Sequence, residues 1–112
     1  MKTYRVRLQP NALEDLDEAY RYATQNAPQT AIKWFSRFYE ALQTLCTNPT
    51  RCMRATEDRK SNRELRQLLY GKRPNIFRAV YTIDEKASIV WILRIRRAQR
   101  RSLSREELGE DG

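Results

Sequence analysis

The sequence contains no histidine, and this absence narrows the chemistry available to the protein. Histidine is the usual general base at neutral pH and part of most arrangements that activate a nucleophile. The two cysteines, Cys46 and Cys52, make a poor metal site without histidine. In a chain with no secretory signal they are not expected to form a structural disulfide. We therefore expect neither a metal nor a cofactor.

Glycine and long apolar runs are also scarce. Only three glycines occur, two of them near the C-terminal end, which excludes a glycine-rich phosphate-binding loop. No apolar stretch approaches the roughly 20 residues that a membrane span needs, and the N-terminus lacks the apolar block of a signal peptide. The expected location is the cytoplasm, with no membrane partner.

Positive charge is abundant and unevenly spread. The formal net charge is +8, but residues 1–50 carry only +1, residues 51–105 carry +11, and the last seven residues carry four acids. Such asymmetry is typical of a protein that binds nucleic acid or an acidic protein. The alternative to such a binding role is that these arginines only keep a small protein soluble, because protein surfaces are normally rich in charge.

Hydrophobic periodicity predicts one α+β domain over residues 1–112, with residues 98–112 as a basic and then acidic tail that frays from Gly109 onward. Alternation predicts strands at 3–8, 64–70, 75–83 and 88–96, with a polar loop at 50–63. Three-to-four spacing predicts a helix from Pro10 and another over 29–46, and their short connection favours an antiparallel hairpin. Five helix residues are predicted to be buried: Leu16, Phe35, Phe38, Leu42 and Leu45. The expected fold is an N-terminal strand and a two-helix hairpin packed on a curved, mainly antiparallel sheet of about four strands.

Arginines interrupt the apolar alternation of the later strands. Burying an arginine costs several kcal/mol unless it is paired, so one face of the sheet is expected to meet water or an anionic partner. Arg78 lies in the middle of its strand, where its planar guanidinium suits recognition of a phosphate. The alternative is a structural ion pair with Glu64 or with an acid of the first helix. The acids of that helix, Asp15 and its neighbours, have the pattern of solvated charge.

Two further basic clusters are candidate binding surfaces. Six arginines fall within the twelve residues 94–105, and their density favours contact with a polyanion or a protein partner. These candidates are Arg94, Arg96, Arg97, Arg100 and Arg101, with the first three expected at a sheet edge. Arg66 belongs to a second basic segment, which could follow a phosphate backbone or simply be solvated.

The order of elements, together with particular residues, resembles the RelE/ParE family of bacterial toxins over nearly the whole chain, from Tyr4 to about Leu108. Each segment is weak alone, but their order and spacing in a short basic chain are specific. The similarity lies in four segments: Tyr4-Arg5-Val6 leading to Ala12-Leu13-Glu14-Asp15-Leu16; Ala31-Ile32-Lys33-Trp34-Phe35; residues 63–71 with Phe77-Arg78-Ala79-Val80-Tyr81; and residues 92–101.

The resemblance implies a toxin of a type II toxin–antitoxin pair, of the kind that stabilises plasmids, inhibits growth and is neutralised by a mostly acidic cognate antitoxin. The resemblance is also compatible with two copies of the toxin within one antitoxin complex. ParE-like members inhibit DNA gyrase without a hydrolytic site, whereas RelE-like members cut mRNA on the ribosome. A non-enzymatic nucleic-acid-binding module is a third alternative.

Departures from the family pattern favour the ParE side. Arg78 matches the sheet arginine that contacts the scissile phosphate in RelE-like nucleases, so the resemblance assigns it a catalytic role only in that branch. Residues 98–112 contain no tyrosine, which RelE-like members often use near the C-terminus. Arg97 stands where ParE-like sequences often have histidine.

Overall fold

A computed structural model of the chain describes residues 2–110. Strand β1 spans Arg5–Leu8, helix α1 spans Pro10–Asn26 and helix α2 spans Ala31–Gln43. Strands β2 (Arg66–Lys72), β3 (Asn75–Asp84) and β4 (Ile89–Arg97) follow. Proline at the first position suits α1, because the missing N–H would have no partner there. Within these residues, neither helix is both long and apolar enough to cross a bilayer.

The four strands form one sheet in the order β1-β4-β3-β2. The first strand pairs in parallel with β4, and the other two pairings are antiparallel. The predicted α+β fold, with a helical hairpin on a mainly antiparallel sheet, is therefore confirmed. The predicted edge position of Arg94, Arg96 and Arg97 is borne out in part: β4 lies between β1 and β3, but β1 pairs only with Ile89–Ile92, so these arginines have a neighbouring strand on the β3 side alone.

The helical hairpin covers one face of the sheet with the larger apolar core. Four of the five helix residues predicted to be buried are buried there: Leu16, Phe38, Leu42 and Leu45. Phe35 is only half-buried and meets Tyr20 edge to face, with ring centroids 5.2 Å apart. Its position between the two helices explains the difference, since the hairpin shields one side of the ring and leaves the other to solvent.

The opposite face of the sheet is also covered, contrary to the prediction of a face open to water or to a ligand. Residues 49–65 and 101–110 fold back over it and close a second apolar cluster. Its members are Ala55, Leu65, Val80, Leu93, Leu103 and Leu108, with Trp91 at the margin. Val80 and Leu103 are fully buried. Arginines on this face therefore need partners supplied by the protein itself.

Residues 50–63, predicted as a polar loop, take part in this cover. The segment contains short 3-10 turns at Pro49–Arg51 and Thr56–Lys60. It also lies along β2, since the Met53 carbonyl accepts a hydrogen bond of 3.1 Å from the Gln67 amide. The segment holds neither an α-helix nor a strand of the sheet, as predicted, but its short 3-10 turns carry no hydrophobic period that a sequence would reveal.

The C-terminal segment returns to the body of the protein. The Leu108 amide donates to the Ser104 carbonyl at 3.1 Å, which closes the turn predicted over residues 104–108. The prediction that the chain frays from Gly109 is wrong for Glu110, whose side chain is only 6% exposed. The prediction for residues 111–112 falls outside the described residues.

Candidate functional site

Arg78 forms a buried bidentate ion pair with Glu57. Its Nη1 lies 2.9 Å from Oε1 and its Nη2 lies 2.5 Å from Oε2 of Glu57, which is fully buried. The Leu103 amide donates to the same carboxylate at 2.7 Å. Of the two interpretations of Arg78, the structure contains the ion pair, but its partner is neither Glu64 nor an acid of α1. The catalytic role that the family resemblance assigns to Arg78 stays a prediction.

The carboxylate of Glu57 is held in its charged form. Burial alone would raise the pKa of Glu57, but hydrogen bonds from Arg78 and from the Leu103 amide lower it to about 2. The Glu57 side chain, in the 3-10 turn Thr56–Lys60, thus links Arg78 of β3 to Leu103 of the C-terminal segment. Sequence reasoning missed Glu57, because it lies in a stretch without periodicity and 21 residues from its partner.

Arg94 is also paired within the protein. Its Nε and Nη2 donate to the two oxygens of Asp15 at 2.7 and 3.0 Å, and the Ile95 amide donates to Asp15 Oδ2 at 2.9 Å. These contacts raise the pKa of the Arg94 guanidinium. The interpretation of Asp15 as solvated charge is wrong, because the side chain faces β4 and is only 12% exposed. It fastens α1 to the middle of the sheet.

The acids of the C-terminal segment, Glu107 and Glu110, form ion pairs with four more arginines: Arg63, Arg96, Arg101 and Arg105. Glu107 accepts hydrogen bonds from Arg101 at 2.7 Å and from Arg96 at 2.8 Å, while the Ser104 amide binds the same carboxylate. These donors, Arg101 foremost, lower the pKa of Glu107. Glu110 accepts from Arg63 at 3.1 Å. The acidic end of the tail therefore neutralises part of the positive charge of the preceding strands.

Arg66 is also paired within the protein. Its Nε donates to Glu64 Oε2 at 3.0 Å, and its Nη1 donates to the Cys52 carbonyl at 2.6 Å. It holds residues 52–54 against β2 and is half-buried. Among residues 2–110, the predicted binding arginines that form no ion pair are Arg97 and Arg100. Arg97 donates to Asn75 Oδ1 at 3.1 Å and lies over the Tyr22 ring.

A largely apolar cavity lies near Arg97, between the α1–α2 turn and the β2–β3 turn, and is lined in part by Tyr22 and Asn75, which Arg97 contacts. It has a volume of about 480 Å³ and is lined by residues that include Trp34, Tyr70 and Phe77. Gly71 lies at its rim. The position requires glycine, because its φ is +110° and a Cβ there would meet the Asn75 carbonyl oxygen at 2.4 Å. Within the described residues, no group of three acidic, cysteine or histidine side chains is placed to hold a metal ion.

We expect Asp15→Asn to lower the free energy of unfolding by about 1–3 kcal/mol. The substitution removes the charge opposite a largely buried arginine and at least one hydrogen bond. Asp17→Asn is the matched control, because Asp17 is 61% exposed and pairs only with exposed Arg21, so its loss should stay within about 0.5 kcal/mol. Urea unfolding of both variants measures the difference. Equal effects would show that Asp15 does not fasten α1 to β4.

We expect the protein to lose stability as the pH falls from about 4.5 towards 2. The folded pKa of Glu57 lies below its ordinary value of 4.5, so its contribution is complete above pH 4.5 and is lost as the pH falls through the folded pKa. A shift of that size corresponds to up to about 3 kcal/mol. Urea unfolding at pH 7 and pH 3 tests this. Glu57→Gln should be less stable at pH 7 and less dependent on pH, and an unchanged dependence would contradict the assignment.

Comparison with known families gives one match that spans most of the chain. A family model described as the ParE toxin of type II toxin–antitoxin systems, parDE, matches residues 6–102. The comparison with curated proteins gave no match.

Solved toxin–antitoxin structures share the fold. A chain of the chromosomal ParDE toxin–antitoxin system from P. aeruginosa is similar with a TM-score of 0.70 and 22% identity, covering 88% of this chain and 100% of that one. The toxin–antitoxin complex RelBE2 from Mycobacterium tuberculosis gives a TM-score of 0.53 at 20% identity, covering 89% and 97%. The archaeal RelE–RelB complex from Pyrococcus horikoshii OT3 gives 0.55 at 20% identity, covering 88% and 99%.

Proposed function

We propose that this chain, which belongs to the ParE toxin family of type II toxin–antitoxin systems, inhibits growth by binding DNA gyrase and is neutralised by a cognate acidic antitoxin. The family places it among toxins of such systems. The target, the antitoxin and a role in plasmid stabilisation are the parts we propose.

The buried ion pair of Arg78 is the observation that supports gyrase, rather than mRNA, as the target of the protein. Cleavage of the RelE type would need this guanidinium at the scissile phosphate. In this protein Arg78 is 5% exposed, both of its terminal nitrogens bind Glu57, and the Leu103 amide of the C-terminal segment binds the same carboxylate. A phosphate would have to displace a buried carboxylate, which carries a large cost. Inhibition of gyrase by binding does not require Arg78 to leave Glu57.

The remaining charge supports a protein partner of opposite sign. Internal ion pairs engage ten of the 22 lysines and arginines within residues 2–110, and the others leave a strongly basic surface. Complementary charge accelerates association and makes it sensitive to salt. An acidic antitoxin fits these requirements, and the similar structures from P. aeruginosa, M. tuberculosis and P. horikoshii are themselves described as toxin–antitoxin systems or complexes.

A pair of assays with the purified chain tests the target. We expect inhibition of DNA supercoiling by gyrase, and no new cleavage sites when primer extension is run on mRNA during translation. Ribosome-dependent cleavage with intact supercoiling would favour the RelE-type alternative. Tight and steeply salt-dependent binding of free nucleic acid, with neither inhibition nor cleavage, would favour a nucleic-acid-binding module.

A further inference from the structure

The helical hairpin leaves apolar side chains on the surface that faces away from the sheet. Leu13, Ile32 and Tyr39 are exposed, and Ile32 has the largest exposed fraction, 70%. Tyr20 and Phe35, whose rings meet edge to face, are half-buried between the two helices. Residues three, four or seven apart share one side of a helix. These five side chains therefore form one apolar stripe, the outer stripe, along the groove between α1 and α2.

The charged residues beside the outer stripe are arranged so that this surface complements itself. On α2, Lys33 and Glu40 are seven residues apart, which places them on the same side of the helix and about 10 Å from each other along its axis. On α1, Glu14 and Arg21 have the same spacing. Because the two helices are antiparallel, both acids lie towards one end of the outer stripe and both bases towards the other.

These charges are mostly unused within the protein. Among residues 2–110, Glu14, Lys33 and Glu40 form no ion pair, and Arg21 pairs only with Asp17 at the surface. A partner for the outer stripe therefore has to offer an apolar strip with a base at one end and an acid at the other, in the reverse order.

A second copy of the chain meets this requirement. A two-fold axis across the hairpin at the level of Ser36 reverses the direction of the helices, so that Lys33 of each copy meets Glu40 of the other. The same operation brings the exposed ring of Tyr39 towards Phe35 of the other copy. Ser36 itself is small and exposed, which allows the two α2 helices to approach closely at the axis.

The distribution of net charge favours the same occupant. Residues 51–105 carry +11, whereas residues 1–50, which include the hairpin, carry only +1. Two copies of a protein with a net charge of +8 can meet at this nearly neutral surface without strong repulsion, and a nucleic acid would bind the basic strands instead. The hairpin is about 25 Å long and about 20 Å wide, so the contact covers about 500 Å² on each copy, the size of a weak interface.

We propose that two copies of this chain associate through their helical hairpins, with the helices of one copy antiparallel to those of the other, in a reversible dimer with a dissociation constant on the order of 10 µM. The contact needs neither an antitoxin nor gyrase, so it goes beyond the proposed function. Because the hairpin and the C-terminal segment cover opposite faces of the sheet, the dimer leaves the C-terminal segment accessible.

Sedimentation equilibrium of the purified full chain, between about 1 and about 200 µM, tests the proposal. We expect a monomer–dimer equilibrium. Lys33→Glu should raise its dissociation constant by about tenfold or more, because it places like charges opposite each other at two symmetric contacts. The exchange Lys33→Glu/Glu40→Lys should restore most of the association. Positions 33 and 40 are too far apart to pair within one helix, so this recovery can arise only between copies.

The matched control is Lys86→Glu, which makes the same change in net charge at an exposed position of the β3–β4 turn and should change the dissociation constant by less than about twofold. Ile32→Gln keeps the charge and tests the apolar part of the contact. It should weaken association by about fivefold or more, because an apolar side chain at the interface is lost. Circular dichroism of each variant confirms that the helices are intact.

Four outcomes would overturn the proposal. They are a chain that stays monomeric at the highest concentration, equal effects of Lys33→Glu and Lys86→Glu, an exchange variant as weak as Lys33→Glu, and association that disappears on nuclease treatment. The last would identify a bound nucleic acid as the cause of association. Self-association does not involve gyrase, so a negative supercoiling assay would leave this result standing, and the reverse also holds.

Discussion

Arg78→Ala is expected to lower the free energy of unfolding by about 3–5 kcal/mol. The substitution leaves the Glu57 carboxylate, which is fully buried, without its counter-charge and with the Leu103 amide and the Thr56 hydroxyl as its close donors. Removing one member of a buried pair has a cost of that size, because the remaining charge cannot reach water. Urea unfolding followed by circular dichroism measures the loss.

A double substitution distinguishes the effect of breaking the ion pair from general damage to the core. Arg78→Met with Glu57→Leu replaces both charges by apolar groups, an exchange that is often neutral. It should recover most of the loss, except for the cost of leaving the Leu103 amide unpaired. Stability of Arg78→Ala near that of the unmodified protein would mean that the ion pair is absent in solution, and would restore Arg78 as a free guanidinium on the sheet.

Leu103→Ala is expected to lower the free energy of unfolding by about 2–5 kcal/mol. Leu103 is fully buried between Val80 and Leu65 of the second core cluster, and truncation there leaves a cavity. The control is Glu106→Ala, an exposed position of the same segment that should change stability by less than about 0.5 kcal/mol. Thermal unfolding of both variants gives the comparison. If Leu103→Ala were as stable as the control, the C-terminal segment would not cover the sheet.

The large elements could be predicted from the sequence because their signals are local. The alternation of Val80 and its neighbours and the helical stripe of Phe38 and Leu42 each arise from the period of a single element. The partners of the arginines could not be predicted. Glu57 lies in an aperiodic segment, and Asp15 lies in an acidic run whose members have similar sequence surroundings but different environments.

The sequence predicted that the first strand joins the later three, but not which of them it pairs with. In the structure β1 pairs in parallel with β4, through residues such as Val6 and Val90. Parallel pairing of distant segments leaves no turn signal in the sequence. Arg94 and Arg96, predicted to be free for a partner, are instead held by Asp15 and Glu107. Of the predicted binding arginines, Arg97 and Arg100 form no ion pair within residues 2–110.

The pairing of the first strand with the last also sets the order in which the protein can form during synthesis. While the ribosome makes the chain, β1 and the helical hairpin emerge early but have no central strand to pack against. The sheet in its observed order can close only after β4 has been made, and Leu103 must follow before the second apolar cluster is complete. Folds dominated by such distant contacts form slowly, because the ends of a long loop must meet first. The complete sheet therefore forms only late in or after translation.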